Sequence, residues 1–518
     1  MNADKLQVLI AMACYIAFII GIGVYFMKRA NKNSEEFFLG GRSLGPWVAA
    51  FSAEASDMSG WLLMGLPGVA YWCGLADAFW TALGLALGTY INWLVVAKRL
   101  RNYSVVAGNS ITLPDFFSNR FREKKKYIML VASVFILVFF TVYAASCFVT
   151  CGKLFSTLFD ADYVWMMVIG AIFIVIYTFL GGFLAESVSD FIQAIVMVFS
   201  LCVIVIVGIA EAGGIGAVME NARSIPGFTE FFGIAQPQVV NGVQQLDAAG
   251  KPLFADKGAY GFITIISTMA WGLGYFGMPQ VLLRFMAIRD AKELKKSRRI
   301  ATIWVVISLT AAVMIGIIGR VLYPDVLLTA SLAESIFIEM SHNMLLPLLA
   351  GIVMAGILAA TISSSDSYLL IAASALSKNI YQGIVKKTAT DKQVMNISRI
   401  TLIIVALIGM FIAMDENSVI FTIVSFAWAG FGATFGPLLL FSLFWKRINR
   451  AGALAGMLSG AGMVFIWKLL IKPMGGIFGI YELLPAFIVS GIFIVAVSLA
   501  TQKPETELDN DFEEAKAM

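Results

Sequence analysis

Between Phe51 and Leu66 the chain reads FSAEASDMSGWLLMGL, which sets two acids, Glu54 and Asp57, among Ser52, Ala53, Ala55, Ser56, Ser59 and Gly60 in an otherwise apolar segment. A carboxylate at mid-membrane depth costs about 2.5–3.5 kcal/mol even on mild insertion scales, so both acids must face protein or water. The small residues from Ala55 to Gly60 invite a break in the helix. An unwound turn leaves carbonyl oxygens without helical partners. Acid, hydroxyls and loose carbonyls around one point are what a small hard cation needs.

A second stretch, AGILAATISSSDSYLL, completes that chemistry. Ala360, Ser363, Ser364 and Ser367 recur at helical spacing and share one face. Hydroxyls of Ser363 and Ser364 with carbonyls of Ala55, Met58 and Ala360 make a cage of neutral oxygens suited to sodium. An isolated helical serine usually bonds back to a carbonyl one turn earlier, but the unbroken polar run Ser363 to Ser367 exceeds that need. Asp57 then acts electrostatically beside the cage rather than as a ligand. Asp190 and Asp366, with Ser367, are candidates for a second cation or the inner exit path, or for pairing with a basic neighbour. Trp61, Tyr143, Cys147, Trp271, Tyr275 and Pro279 form an apolar, aromatic set with two hydroxyls, suited to a small zwitterion.

These residues have to be positioned by membrane helices. The chain is 59% hydrophobic and 14% charged, with mean hydropathy +0.85, far from the roughly 25% charged norm of soluble domains. Repeated apolar runs long enough for a bilayer core imply an all-α integral membrane protein. Thirteen transmembrane spans are expected, with cores near 6–27, 47–73, 76–97, 127–155, 162–182, 186–210, 260–287, 300–322, 344–376, 398–414, 419–445, 452–471 and 480–500. Lys and Arg concentrate in alternate loops, around 28–46, 98–126 and 289–299 and after the ninth and eleventh spans. Basic loops stay in the cytoplasm, so the amino terminus is expected outside and the carboxyl terminus inside. The long loop 211–257 is read as a polar outer excursion with short helices, 323–343 as an amphipathic outer helix, and the acidic tail 501–518 as disordered. The five cysteines lack paired-ligand spacing, and no nucleophile-base pair is evident, which argues against a disulfide framework, a metal centre of cysteines and an enzyme.

Only two spans are interrupted, the second at Ala55 to Gly60 and the seventh at TMAWGLGYFGMPQ, with Gly272, Gly274, Gly277 and Pro279. They open corresponding halves of the ten-helix block 47–445. Matched breaks are the mark of a five-plus-five inverted-repeat transporter with its site between them. The alternative is that the glycines merely let helices pack closely. The chain thus divides into 1–46, a first helix and inner loop; 47–210, the first five-helix repeat; 211–257, the outer loop; 258–445, the second repeat; 446–500, two peripheral helices; and 501–518, the inner tail.

EASDMSGWLLMGLPG, YTFLGGFLAESVSD, WGLGYFGMPQVLLRFMA and ILAATISSSDS together resemble the solute:sodium symporter family, most closely its bacterial sodium/proline branch, over nearly the whole chain. The resemblance implies a leucine-transporter-like core, sodium at Ala55, Met58, Ala360, Ser363 and Ser364, and functional weight on Asp57, Ser59, Gly60 and Asp190, with Ser59 and Gly60 added to the substrate contacts. It implies a plasma-membrane symporter, in a bacterial inner membrane, that imports L-proline with co-transported sodium by alternating access. The chain carries Met278-Pro279-Gln280 where that branch is expected to read QPH, and an acid at Asp366 where related chains often have a neutral residue. Another amino acid, a sugar, sialic acid, a vitamin or a carboxylate are alternative cargoes; proton coupling through Asp57, a passive channel and a membrane sensor are the further alternatives.

Overall fold

The computed structural model describes residues 3–30, 34–504 and 506–518, so Lys32 of the first basic loop lies outside the described residues. Helix α1 (Ala3–Ala30) is continuous. The next apolar segment is divided into α2 (Pro46–Asp57) and α3 (Leu66–Cys73), linked by a wide turn at Trp61–Gly65. Then come α4 (Leu75–Val106), α5 (Tyr127–Phe159), α6 (Tyr163–Phe179) and α7 (Gly182–Glu211). A second divided segment comprises α8 (Phe262–Met269) and α9 (Pro279–Ala287), separated by tight 3-10 turns over Ala270–Gly277. Helices α10 (Ala291–Leu322), α11 (Pro347–Val385), α12 (Asp391–Ile412), α13 (Ile420–Phe444), α14 (Arg450–Met474) and α15 (Leu483–Ala500) follow, and α16 (Thr506–Ala517) ends the chain. Among the described residues ten helices are long and apolar enough to cross a membrane, and Trp61–Cys73, Tyr163–Phe179 and Phe262–Gly277 are shorter apolar helices.

Helices α6 and α7, expected as separate spans with a short connection, run on as one rod bent at Gly182, whose φ of 58° and ψ of −177° suit glycine alone. Helix α11 packs against α1, α2, α5 and the α6–α7 rod. It is buried on every side from Val353 to Ser374, so its serines face protein rather than lipid. The start of the first divided segment is clasped to the end of the second. Leu44 N donates to Ala287 O at 3.2 Å and Arg289 N to Leu44 O at 3.0 Å. Beside them the Arg42 guanidinium reaches Met286 O at 2.6 Å and Ser110 O at 2.7 Å.

Three connecting segments differ from expectation. Loop 211–257 holds one helix, Ile215–Arg223, but otherwise builds β-structure. Its Val239–Val240 pairs with Val243–Gln244, and Gly233–Ile234 pairs with Gly258–Ala259; the Asn-Gly pair of VNGVQ favours a tight hairpin over a helix. The segment 323–343 forms two helices, Ala330–Ala333 and Ile336–Met344, rather than one. The acidic tail is ordered as α16, with Leu508, Phe512 and Ala515 buried. Its negative charges meet Arg122 and Lys446, which the tail's own composition does not reveal.

Candidate functional site

The break in the first divided segment frees one particular oxygen. In an unbroken helix Ser59 N would donate to Ala55 O; here it turns to Asp57 O at 3.1 Å. The released Ala55 carbonyl accepts Ser363 Oγ at 2.8 Å and Ser364 Oγ at 3.2 Å. Ser363 Oγ also lies 3.2 Å from Ala360 O. Four of the five expected sodium ligands therefore converge. For Met58 the structure establishes a side-chain contact, its sulfur 3.9 Å from Ser308 Oγ on α10. The discontinuity is shorter than expected: Ala55, Ser56 and Asp57 remain helical, and the backbone departs at Met58, with φ −87° and ψ 74°. Ser365 performs the bland helical role, donating to Thr361 O at 2.6 Å.

Asp57 closes the helix beside this point. Its Oδ1 accepts Gln280 Nε2 at 3.3 Å, so the acid bridges to the start of α9. Its Oδ2, Ser59 Oγ, Gln280 Oε1 and the Tyr275 hydroxyl are buried without a hydrogen-bond partner among the described residues. Buried polar groups are ordinarily satisfied, so this concentration marks a place prepared for a polar guest. Glu54 accepts Trp93 Nε1 at 3.1 Å through one oxygen, and its other oxygen is buried without a hydrogen-bond partner among the described residues.

The aromatic set surrounds the same region. Trp61 and Trp271, one from each divided segment, have ring centroids 6.3 Å apart. Tyr143 stacks on Tyr368 at 4.2 Å and its hydroxyl lies 3.4 Å from Asp57 O. Tyr275 meets Trp428 edge-on at 5.1 Å, while Trp428 Nε1 donates to Trp271 O at 2.8 Å. Cys147 is buried on α5 and Pro279 is buried at the first turn of α9. Gly60 serves close packing: a Cβ there would meet Thr150 Oγ1 at 2.3 Å. Close packing applies also to the second break, where a Cβ on Gly272 would lie 2.2 Å from Gly84 O and one on Gly274 1.9 Å from Trp428 Nε1.

A separate charge cluster gathers around Arg284 near the end of α9. Asp190 accepts Ser52 Oγ at 2.7 Å and pairs with Arg284 at 3.1 Å. Arg284 also pairs with Glu186, donates to Ser367 Oγ at 2.9 Å and to Ser52 Oγ at 2.9 Å, and lies over the Phe183 ring at 4.8 Å. Asp366 accepts Ser367 N at 2.8 Å and shares a small cavity with Glu186. Asp190 thus has a basic partner, whereas Asp366 stands near the pair without bonding to it. Arg284, Glu186, Tyr368 and Trp428 fall outside the expected site, and Gln280 enters the sequence reading only as a departure from QPH. Arg284 was detectable, since a cation in VLLRFMA is as costly in lipid as Glu54.

Two divided helices facing a buried, hydroxyl-lined third are the arrangement of a membrane transporter. Comparison with known proteins agrees. The family model described as sodium:solute symporter family matches residues 37–460. A sodium/proline symporter 2 of Staphylococcus saprophyticus is 41% identical over 98% of this chain and 96% of that one. A sodium/proline symporter of Staphylococcus aureus is 41% identical with the same coverage. Among solved structures, a Na+-coupled sialic acid symporter in a substrate-bound outward-open state aligns with TM-score 0.76 at 18% identity, over 96% of this chain and 99% of that one. Mhp1, a nucleobase-cation-symport-1 family transporter in a closed conformation, aligns with TM-score 0.52 at 13% identity, over 93% and 99%. The chain belongs to the sodium:solute symporter family, a family of multi-pass membrane transporters and not of enzymes.

Proposed function

We propose that this protein imports L-proline together with sodium by alternating access. The observation that carries the coupling is the pair of serine hydroxyls on α11 meeting the Ala55 carbonyl released by the break after α2. The cargo is carried by the sodium/proline names of relatives 41% identical over 98% of the chain. On this reading the ten long and three shorter apolar helices make thirteen spans, ten of them forming the five-plus-five core. The amino terminus lies outside, the carboxyl terminus inside, and the β-structured loop faces the exterior, following the distribution of Lys and Arg.

Sodium from outside binds between α2 and α11 at Ala55, Met58, Ala360, Ser363 and Ser364. It cross-links the two helices and fixes the break against which the substrate rests. Asp57 offsets the cation's charge and holds Gln280. Ser59, Gly60, Trp61, Tyr143, Cys147, Trp271, Tyr275 and Pro279 form the substrate's surroundings. The inner clasp at Leu44 and Ile288 then parts and low internal sodium releases both ligands. Each charge carried inward across 100 mV supplies about 2.3 kcal/mol, equivalent to a roughly fiftyfold solute gradient.

Labelled proline uptake into proteoliposomes, with external sodium present or replaced by potassium, tests this; uptake indifferent to sodium rejects it. A second reading keeps the coupling and changes the cargo. Gln280 stands where a histidine is expected in the proline branch and touches Asp57. Competition of labelled proline by a panel of amino acids, sugars and carboxylates separates the two.

A further inference from the structure

We infer that an anionic phospholipid binds in a groove on the membrane face of the protein, with an acyl chain between α2, α7 and α10 and its phosphate against Lys296 and Arg299. The groove has a volume of about 420 Å³ and an almost wholly apolar lining. Trp47 and Phe51 on α2 supply one wall, Ala194 and Val198 on α7 the second, and Ile303 and Ile307 on α10 the third. Trp304, buried among them, is held by its Nε1 donating to Ala194 O at 3.0 Å. Between Ile300 and Ile307, which both line the groove, helical rise spans about 10 Å, within the roughly 15 Å of one leaflet. The slot is therefore shaped for part of one hydrocarbon chain.

One end of the groove is basic. Residues 289–299 hold six basic residues against two acids, Asp290 and Glu293. Glu293 is occupied by Arg289 at 2.7 Å, and Asp290 accepts the Lys292 backbone N–H at 2.8 Å. Lys296 and Arg299 are exposed and, among the described residues, have no carboxylate partner. They stand one turn before Ile300 and Ile303 on the same face of α10. Helical side chains lean towards the amino-terminal end of their helix. Both cations therefore reach past the groove to headgroup level, while their stems lie along apolar surface. The Lys296 ammonium lies 5.6 Å over the Trp47 ring, at the mouth, whereas Arg298 is directed instead to Tyr90 on α4 at 5.4 Å. An ammonium and a guanidinium beside an apolar slot select a phosphate that carries a hydrocarbon chain. A zwitterionic headgroup brings its own ammonium into this excess of cations, so the lipid of net negative charge is preferred. The seated chain packs on Trp47 and Phe51, near the start of the helix whose far end carries Ala55 and Asp57. That start is already tied to α10 by Ser297 Oγ donating to Pro46 O at 3.0 Å, and to α7 by Phe51 stacking on Phe191 at 5.3 Å. The lipid adds a third brace there.

The test is native mass spectrometry of the full-length protein in detergent, titrated with phosphatidylglycerol or with phosphatidylcholine. The wild type is expected to bind its first phosphatidylglycerol about tenfold or more tighter than its first phosphatidylcholine. Lys296→Gln combined with Arg299→Gln should weaken that phosphatidylglycerol about thirtyfold, about fivefold for each cation lost at a lipid surface. Lys124→Gln combined with Lys125→Gln removes the same charge from another basic loop and should leave it unchanged. Ile303→Trp fills the groove with every charge kept, and should weaken both lipids about tenfold through lost apolar burial. Equal affinity of the wild type for the two lipids, or equal losses in the two charge variants, overturns the site. Unchanged binding by Ile303→Trp also overturns it, because the phosphate would then be held by surface charge with no chain in the groove. No transport is measured, so the outcome is independent of the cargo proposed above.

Discussion

Ser363 Oγ donates to Ala55 O at 2.8 Å across 308 residues of chain, joining the middle of one buried helix to the open end of another. Ser363 Oγ also keeps a longer contact to Ala360 O at 3.2 Å, and the Ala55 carbonyl is available because Ser59 N has turned to Asp57 O. On the proposed function the same two oxygens are sodium ligands, which makes this contact the point where cation binding and the geometry of the break are one event. Loss of either hydroxyl is therefore a sodium effect before it is a substrate effect.

Ser363→Ala is expected to raise the half-saturating sodium concentration by about tenfold, the effect of one lost oxygen contact worth roughly 1.4 kcal/mol. Ser364→Ala, whose hydroxyl has the single longer contact of 3.2 Å, should raise it less. Proline dependence at saturating sodium should be nearly unchanged in both. Sodium titration of uptake checks this, and an effect confined to proline would remove the serines from the cation site.

Gly274→Ala forces a methyl group to within 1.9 Å of Trp428 Nε1, the atom that donates to Trp271 O. Overpacking of this kind costs about 1–3 kcal/mol, and the displaced indole unties Trp271. Thermal unfolding in detergent should shift down and transport should fall. Gly462→Ala on α14 is the control, with nothing within 4 Å of the new methyl, and should leave both unchanged.

The sequence made the site visible because membrane physics penalises its residues individually. Glu54, Asp57 and the run Ser363 to Ser367 are conspicuous wherever lipid is the alternative environment. The breaks were visible through glycine and proline, yet their extent was not. Helicity of Ala55 to Asp57 is maintained by tertiary packing, and Ala55 O needs only its own partner removed to become available. Arg284 could be found by the same penalty, but its partners Glu186 and Asp190 could not be chosen, since they depend on how α9 crosses α7. The tail misled for a related reason. Leu508, Phe512 and Ala515 lie on one helical face, but their small apolar area stabilises a helix only against the distant cations Arg99, Arg120 and Lys446.

Docking of α16 should be released by acid and by salt. Its Glu513 carboxyl, hydrogen-bonded to Lys446, is held below the usual glutamate range. A depressed carboxylate contributes stability above its unfolded pKa and loses it as pH falls through the folded one, so the contact weakens on the acid side. The Arg122 pairs with Glu507 and Asp511 are surface pairs and are screened by added salt. Phe512, with Arg99 over its ring at 4.5 Å, should persist as an anchor under both conditions. Limited proteolysis of the tail should accelerate in acid or high salt, and more strongly in Phe512→Ala under all conditions; equal protection of that variant and wild type would show that the ring does not hold the helix.

Arg284→Met separates the buried charge cluster from simple packing. The guanidinium is fully buried against Glu186 and Asp190, with Ser52 and Ser367 completing its shell. Removing it leaves carboxylates without their cation in a place that water reaches poorly, and loss of one partner of a buried pair costs about 3–5 kcal/mol. Arg284→Lys keeps the charge but has one nitrogen where the fork reaches four side chains, so it should recover only part of the loss. The combination Arg284→Met with Glu186→Gln should recover more stability than Arg284→Met with a neutral substitution far from the cluster, because it removes one of the stranded charges. Thermal unfolding of the set in detergent checks the order. Equal melting of Arg284→Met and the combined variant would mean that the methionine's fit, and not the uncompensated acid, sets the cost.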